Sequence, residues 1–176
     1  MSVLAELLQT KLFTDLLNTV ESLNKKVSSL LGDPLDIMIH YHKDKYGEDL
    51  LPLEKHGNFY DLRAAVDIDL EEGKHTYIPL GFSLYLPDGY YAEVLPRSST
   101  FKNFGFVLAN SMGIIDSTYR GMKDEWFLSV IPFKTAHISK NDRIGQFTIV
   151  KELPFELKEA DWEAENRGGN GSSGIK

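Results

Sequence analysis

The stretch from Asn110 to Gly121 reads NSMGIIDSTYRG and brings several ligand-binding side-chain types together within twelve positions. It contains a polar amide at its start, a glycine, the single carboxylate of Asp116, the aromatic ring of Tyr119 and an arginine. Two isoleucines stand directly before the carboxylate. We therefore predict a β-hairpin that binds a small planar ligand and presents Asp116 to a reactive group.

The sequence on both sides of this stretch predicts an all-β domain. Short apolar runs separated by turn residues occur at 62–70, 76–80, 82–86, 90–95, 104–109, 126–133 and 146–151. Another strand is expected where Leu35, Ile37 and Ile39 alternate with differently facing residues, and the charged segment 43–58 predicts an irregular connection. Many short strands with little helix between them are typical of a distorted β-barrel or jelly roll.

The N-terminal segment predicts a helix. Its apolar positions are spaced by four, three, four and three residues, at Leu16, Val20, Leu23, Val27 and Leu30. This spacing places them on one face of a helix over residues 3–31, and Gly32 and Pro34 then supply a stop. Two interpretations remain open. The helix either docks on its own domain or a neighbouring subunit, or it associates with copies of itself, for which about two heptads are short.

The bulk composition excludes several classes of function. A formal net charge of −7 disfavours duplex nucleic acid, which requires a dense basic face, although a few local arginines are enough for one nucleotide. The absence of cysteine excludes disulfides, thiolate zinc sites and a cysteine nucleophile. Charged residues interrupt the N-terminal apolar positions, so we expect no membrane span and a cytoplasmic protein.

The C-terminal segment 161–176 has a composition unlike the rest of the chain. It carries Arg167, followed by the run GGNGSSG. Because it has almost nothing to bury, it is expected to be a flexible tail, which would be ordinary for a terminus or a linker. Its arginine, glycine amides and the hydroxyls of Ser172 and Ser173 also suit a flap that grips phosphates. The sequence thus predicts a helix over 1–33, a β domain over 34–160 and this tail.

Three further polar clusters interrupt the strand-like runs: Asp61 lies in YDLRA, Arg97 in PRSS and Gln146 in RIGQ. Each cluster alone is a weak signal. Together with the opening stretch and the tail, they resemble in order and spacing the five motifs of the trimeric deoxyuridine triphosphatase (dUTPase) family. The resemblance covers roughly residues 59–176 and is particularly similar to phage-encoded members. Residues 1–33 lie outside the family pattern.

The resemblance implies an enzyme that hydrolyses dUTP to dUMP and pyrophosphate by attack of water on the α-phosphorus. Such an activity keeps uracil out of DNA and supplies dUMP for dTTP synthesis. The implied fold is a jelly-roll barrel that forms a homotrimer, and the implied cofactor is Mg²⁺. Each site would take its third motif from one chain, its first, second and fourth motifs from a neighbour, and its tail from the third chain.

The resemblance also implies roles for individual residues in the base, sugar and water sites. Asp116 matches the general base, and Gln146 matches a glutamine that bonds near the scissile phosphate and the attacking water. Tyr119 matches the ring that packs under the deoxyribose and leaves no room for a 2′-hydroxyl. The uracil edge would be read by Asn110 and by main-chain groups of the hairpin, a pocket that includes Gly113 and Ile115.

The remaining matches concern phosphates and metal. Arg97, Ser98 and Ser99 match the phosphate-binding motif, and Arg167, Ser172 and Ser173 match the phosphate contacts of the tail. Asp61 matches the carboxylate that steadies a hydrated magnesium ion. Asn170 departs from the pattern, since family members usually carry an aromatic residue there. We therefore expect the tail to hold the base less firmly than in other members.

Two alternatives to this function stay open at the level of sequence. The first is a dCTP deaminase of the same superfamily, which shares an Arg-Ser-Ser element and an Ile-Asp turn, although its motif usually lacks the setting of Tyr119. The second is a nucleotide-gated interaction module in which the N-terminal helix binds a protein partner. The amphipathic pattern of that helix is its support in the sequence.

Overall fold

Three helices and twelve short strands make up the part of the chain that the structure describes, residues 3–31 and 35–164 of a computed structural model. The helices are α1 Val3–Leu31, α2 Lys43–Tyr46 and α3 Thr100–Phe104. The strands are β1 Met38–Tyr41, β2 Lys55–His56, β3 Phe59–Arg63, β4 Ile68–Leu70, β5 Thr76–Pro79, β6 Phe82–Tyr85, β7 Tyr90–Leu95, β8 Phe106–Leu108, β9 Gly113–Ile115, β10 Phe127–Pro132, β11 Ala136–Ile138 and β12 Arg143–Lys151. The predicted stop at Gly32 and Pro34 and the predicted tail residues Arg167, Asn170, Ser172 and Ser173 lie outside the described residues.

The all-β prediction with an added N-terminal helix is confirmed, and the strands pair antiparallel throughout. The largest sheet has five strands in the order β2-β3-β12-β7-β9. A three-stranded sheet has the order β5-β10-β8, and the pairs β1-β6 and β11-β4 complete the described part. The four sheets are not joined into one closed barrel, so the arrangement is jelly-roll-like rather than a continuous cylinder.

Aromatic side chains from different sheets meet in the core. The Trp126 ring lies 5.2 Å from both Phe82 and Phe147, and these side chains are almost completely buried. Burying one such large apolar side chain stabilises a fold by about 1.5–3 kcal/mol. Burial follows the two-residue period of the strands. Ala92 and Val94 of β7 are buried while their neighbours are half-buried, as the alternating pattern predicted.

Two of the predicted strand runs are broken in the structure. The run 62–70 divides into β3 and β4, because the chain leaves the ladder at Ala64 and Ala65. Their amide groups donate instead to the carbonyl oxygens of Asp142 and Pro79, and both alanines are buried where the chain passes between sheets. The run 104–109 begins with the last residue of α3. The breaks in these two runs were not visible in the sequence, because the apolar residues continue the same pattern through them.

Two apolar segments of the chain are left uncovered. The α1 side chains from Leu12 to Leu23 are exposed, so this part of the helix is not docked on its own domain. After β12, the extended residues 152–164 expose Leu153, Phe155 and Leu157. Exposed apolar segments of this length are typical of surfaces that another chain covers. Within the described residues, no helix is both long and apolar enough to span a bilayer.

Candidate active site

Asp61 is the centre of a charged cluster at one end of the five-stranded sheet. It lies in the middle of β3 and is only 3% exposed. Its Oδ1 atom lies 2.9 Å from Nε of Arg97, and its Oδ2 atom lies 3.0 Å from Nδ1 of His56 and 3.4 Å from Nη1 of Arg143. A buried carboxylate is tolerated when it is paired, and this pairing brings two guanidinium groups together. Both arginines remain partly exposed and can also contact an anionic ligand.

Arg97, Ser98 and Ser99 lie in the turn between β7 and α3. The turn is fixed by Thr100, which is 1% exposed. Its hydroxyl accepts from the amide N–H of Arg97 at 2.9 Å and donates to the carbonyl oxygen of Ile144 at 3.1 Å. Ser98 is exposed and Ser99 is half-buried. The turn therefore holds Arg97 in place and leaves the Ser98 hydroxyl accessible to a ligand.

Gln146 lies beside this cluster because two strand ladders fix its position. It pairs with Asp61 of β3 on one side and with Leu95 of β7 on the other. Its side-chain Nε2 donates to the carbonyl oxygen of Pro96 at 3.1 Å, which leaves its amide oxygen as an acceptor for a ligand or water. The structure thus brings the predicted phosphate-binding residues of the β domain together at the ends of neighbouring strands.

The β-hairpin predicted around Asn110 is wrong, because the strands on either side of this turn do not pair: β8 lies beside β10, and β9 belongs to the five-stranded sheet. This strand pairs with β7, with Val94 opposite Gly113 and Ala92 opposite Ile115. A Cβ atom at Gly113 would lie 3.0 Å from that of Val94, closer than two such atoms normally approach. Gly113 is therefore needed for its close approach to the neighbouring strand, while Asn110 is exposed at the turn.

The Asp116 carboxylate is exposed and is held by the turn that follows it. Its Oδ1 atom accepts from the Thr118 hydroxyl at 2.5 Å and from the Thr118 amide N–H at 2.7 Å. These two hydrogen bonds lower the pKa of Asp116 below its usual value, because they favour the charged form. The other oxygen accepts no hydrogen bond from the described residues. At neutral pH the group is therefore a carboxylate with one oxygen free to orient water.

The Tyr119 ring is held at its polar end. Its hydroxyl donates to the carbonyl oxygen of Glu125 at 2.9 Å, while 42% of the residue stays exposed. Burial raises the pKa of the Tyr119 hydroxyl, with further contributions from the negative charges of Asp124 and Glu125. The phenol is therefore neutral at physiological pH, and its exposed ring offers a flat apolar surface against which a ligand can pack.

The two halves of the predicted site lie at opposite ends of β7. Continuing the β7–β9 ladder by one position places Asp116 opposite Tyr91, six residues before Arg97. The strand part of this separation, from Tyr91 to Leu95, alone spans about 13 Å. Asp116 and Tyr119 are therefore separated within one chain from the cluster around Asp61 and Arg97. A single chain does not bring all the predicted catalytic residues to one ligand.

The described residues do not form a metal site. No group of three or more His, Asp or Glu side chains among them is arranged to hold an ion. Both oxygens of Asp61, the residue matched to magnesium, already contact basic side chains at 2.9–3.4 Å. Magnesium prefers several oxygen ligands and repels such cations. This donor set does not fit a magnesium ion held directly by the protein.

Three residues that organise the site were missed in the sequence. Thr100 fixes the Arg97 turn, Thr118 holds Asp116, and Glu125 receives the Tyr119 hydroxyl. The spacing Asp116-x-Thr118 is a local turn pattern and would have been a usable signal. Thr100 and Glu125 act through contacts that the local sequence does not reveal.

Comparison with known proteins gives a consistent result. The family model for dUTPase matches residues 47–174. The chain is 46% identical, over 122 residues, to an SPbeta prophage-derived deoxyuridine 5′-triphosphate nucleotidohydrolase of Bacillus subtilis, which covers 68% of this chain and 86% of that relative. Residues 47–174 include all five polar clusters that the sequence singled out.

Solved structures support the same fold. A dUTPase of Staphylococcus bacteriophage 80alpha with dUPNHPP superposes with a TM-score of 0.68 at 19% identity, covering 81% of this chain and all of that one. A mutant dUTPase from phage phi11 of S. aureus, described with the coordination of a structural Mg(II) ion, gives a TM-score of 0.62 at 18% identity. That match covers 73% of this chain and 98% of the phage protein.

Proposed function

This chain belongs to the dUTPase family, and we propose that it hydrolyses dUTP to dUMP and pyrophosphate. The observation that carries the proposal is the turn 116–119, closed by the Tyr119 N–H donating to the Asp116 carbonyl oxygen at 3.2 Å, which presents both an ionised, accessible carboxylate and an exposed aromatic ring. A carboxylate next to a flat apolar surface can orient water beside a bound nucleoside. We place the activity in the cytoplasm, where deoxynucleotides for DNA synthesis are made.

The proposed chemistry is attack of water on the α-phosphorus. Asp116 accepts a hydrogen bond from the attacking water through its free oxygen and takes up its proton as the P–O bond to pyrophosphate breaks. Gln146 orients the water by accepting a hydrogen bond through its free amide oxygen, and the second N–H of its Nε2 can donate to the scissile phosphate. In the base pocket, Asn110 and the main chain around Gly113 and Ile115 read uracil. Tyr119 excludes ribose by occupying the space of a 2′-hydroxyl.

The positive charge that binds the phosphates comes from the arginines around Asp61 and from the tail. Arg97 and Arg143 are partly exposed cations of the Asp61 cluster, and Ser98 and Ser99 follow Arg97 directly in the chain. Arg167, Ser172 and Ser173 are assigned to the phosphates by their place in the family motif. The proposed Mg²⁺ would arrive bound to the triphosphate, and when bound it would supply positive charge to the phosphate chain. Asp61 contacts it at most through water.

We infer that the working form is a homotrimer with shared sites. The separation of Asp116 from Arg97 along β7 requires that the two halves come from different chains if both touch one nucleotide. The exposed apolar residues Leu153, Phe155 and Leu157 after β12 give each chain a surface for a neighbour to cover. Duplex DNA and membranes are not proposed as partners.

The proposed reaction is tested with purified protein, Mg²⁺ and either dUTP or dCTP. Equal amounts of dUMP and pyrophosphate should form from dUTP, because water attack on the α-phosphorus yields both. The measurement is product quantification by chromatography with a coupled pyrophosphate assay. Conversion of dCTP to dUTP with release of ammonia, and no turnover of dUTP, would replace this proposal by the deaminase alternative.

We also propose that α1 binds a protein partner and serves neither catalysis nor trimer assembly. Its exposed apolar side chains include Leu16, Val20 and Leu23, which share one helix face. Removing residues 1–33 should leave kcat for dUTP within about twofold of the full chain, because this face is not packed against the β domain. Turnover and native mass are measured on the same sample. If the truncated protein loses both its trimeric state and its activity, α1 has a structural role. Its function is then not limited to binding a protein partner.

A further inference from the structure

The hydroxyl of Tyr119 depends for its position on the main chain at Glu125. The hydrogen bond from Tyr119 to the Glu125 carbonyl oxygen is 2.9 Å long and fixes the polar end of a ring that is otherwise partly exposed. A shift of this carbonyl group therefore moves the ring. In the proposed function the ring sterically excludes a 2′-hydroxyl. This exclusion is effective only if the ring is held in place.

The main chain on either side of Glu125 is held in different ways. After it, Trp126 is fixed to the sheet, because its N–H donates to Phe82 and its carbonyl oxygen accepts from Leu80, both at 3.0 Å. Before it, the chain forms a tight turn in which the N–H of Gly121 donates to a carboxylate oxygen of Asp124 at 2.7 Å. Glu125 joins this surface turn to the buried strand. Its carbonyl group shares a peptide plane with the N–H of Trp126, so the bond to Phe82 holds one side of this junction and the Glu125 side chain holds the other.

The Glu125 side chain is anchored by a lysine from a distant part of the sequence. Its carboxylate is 8% exposed, and its Oε2 atom lies 2.8 Å from Nζ of Lys45 in α2. Its Oε1 atom has no hydrogen-bond partner in the described structure. A buried carboxylate with one charged partner is strongly dependent on that partner. The helix that carries Lys45 is itself attached to the β domain by the N–H of His42, which donates to Gly81 at 2.9 Å.

We propose that the Lys45–Glu125 ion pair positions Tyr119 and thereby sets the preference of the site for deoxyribose over ribose. The inference rests on the proposed function, in which the ring of Tyr119 packs under the sugar. Lys45 and Glu125 are positioning residues, because neither is assigned a contact with the nucleotide. With the pair intact, the ring occupies the space of a 2′-hydroxyl. Without it, the ring can withdraw and admit UTP.

The test is the ratio of kcat/KM for dUTP to kcat/KM for UTP in Lys45→Met and Glu125→Gln variants. We expect Lys45→Met to lower this ratio by about tenfold, the order of effect that a misfitted group has on substrate discrimination. Glu125→Gln keeps the shape of the side chain, so it should fold and give a smaller fall. Lys45→Arg retains the charge and should restore most of the ratio.

A matched control separates positioning from general destabilisation. Lys140 also anchors α2, through the carbonyl oxygen of Tyr46, but has no contact with Glu125. Lys140→Met should therefore lower the thermal midpoint without changing the ratio. Adding Lys45→Met to Tyr119→Phe, which already lacks the hydroxyl, should lower the ratio no further.

The outcomes distinguish this proposal from the proposed function. Folded Lys45→Met and Glu125→Gln proteins that hydrolyse dUTP with the wild-type ratio contradict the positioning role alone. An equal fall in Lys140→Met also contradicts it, since the effect would then belong to the stability of α2. A wild-type protein that leaves dUTP intact contradicts the proposed function, and the positioning role with it.

Discussion

Replacing Asp116 by Asn should reduce kcat for dUTP by about 10²- to 10⁴-fold, the usual contribution of a positioned general base. Asn has the same shape as Asp, and its amide can still accept hydrogen bonds from Thr118. It cannot take up the proton of the attacking water. Because the carboxylate is exposed and forms no ion pair with the residues that the structure describes, the substitution should have little effect on folding.

The measurement is steady-state hydrolysis of dUTP by the wild type and Asp116→Asn at matched protein concentrations. KM should change far less than kcat, since the removed group acts in the transition state. Ser117→Ala, at the adjacent position, is a suitable control for disturbance of the turn. Full activity in Asp116→Asn would refute the assignment of the base.

The pH dependence of kcat/KM provides a second test of the same group. The Thr118 hydrogen bonds lower the pKa of Asp116, so the carboxylate stays ionised as the pH falls through the usual range for aspartate. Activity that needs the ionised form should therefore be lost only below about pH 4, the ordinary aspartate pKa. Thr118→Val removes the hydroxyl bond and should move this acid limit to higher pH. An unchanged limit would show that another group sets it.

The strands could be predicted because their signals are local. Alternating burial along β7 follows the alternating apolar residues, and β9 coincides with the two isoleucines after the glycine at 113. The predicted hairpin was wrong because the partners of β8 and β9 are distant in sequence. The family motifs also assign roles to Asp116 and Tyr119, and these roles stay predictions. The parts of the fold that the sequence predicted correctly are strands whose pattern lies in consecutive residues.

The interactions that could not be predicted join distant parts of the chain. The cluster around Asp61 depends on Arg143, 82 residues away, and the Lys45–Glu125 pair spans 80 residues. Charged residues at such separations give no periodic signal, and their pairing follows only from the strand order. For the same reason α2, in a segment predicted to be an irregular connection, gained a role that its composition did not indicate.

The largest qualitative effect is expected when two inactive variants are mixed. One variant is Asp116→Asn. The other combines Asp61→Asn with Arg97→Gln, which removes the buried acid and its partner together and so leaves no unpaired buried carboxylate. Each protein alone should have very low activity. Refolded together as mixed oligomers, they should regain about a quarter of the wild-type activity, because random assembly pairs an intact Asp116 with a neighbour's intact Arg97 in one site out of four.

This recovery follows from the ladder between β7 and β9, which keeps Asp116 and Arg97 apart in one chain. If one chain supplied both residues, every site in the mixture would contain a defect and no activity would return. Refolding each variant separately and then combining them under conditions that prevent subunit exchange gives the control, and it should remain inactive. Native mass spectrometry of the active mixture should find three chains. Recovery in an assembly of two chains would support shared sites and contradict the trimer.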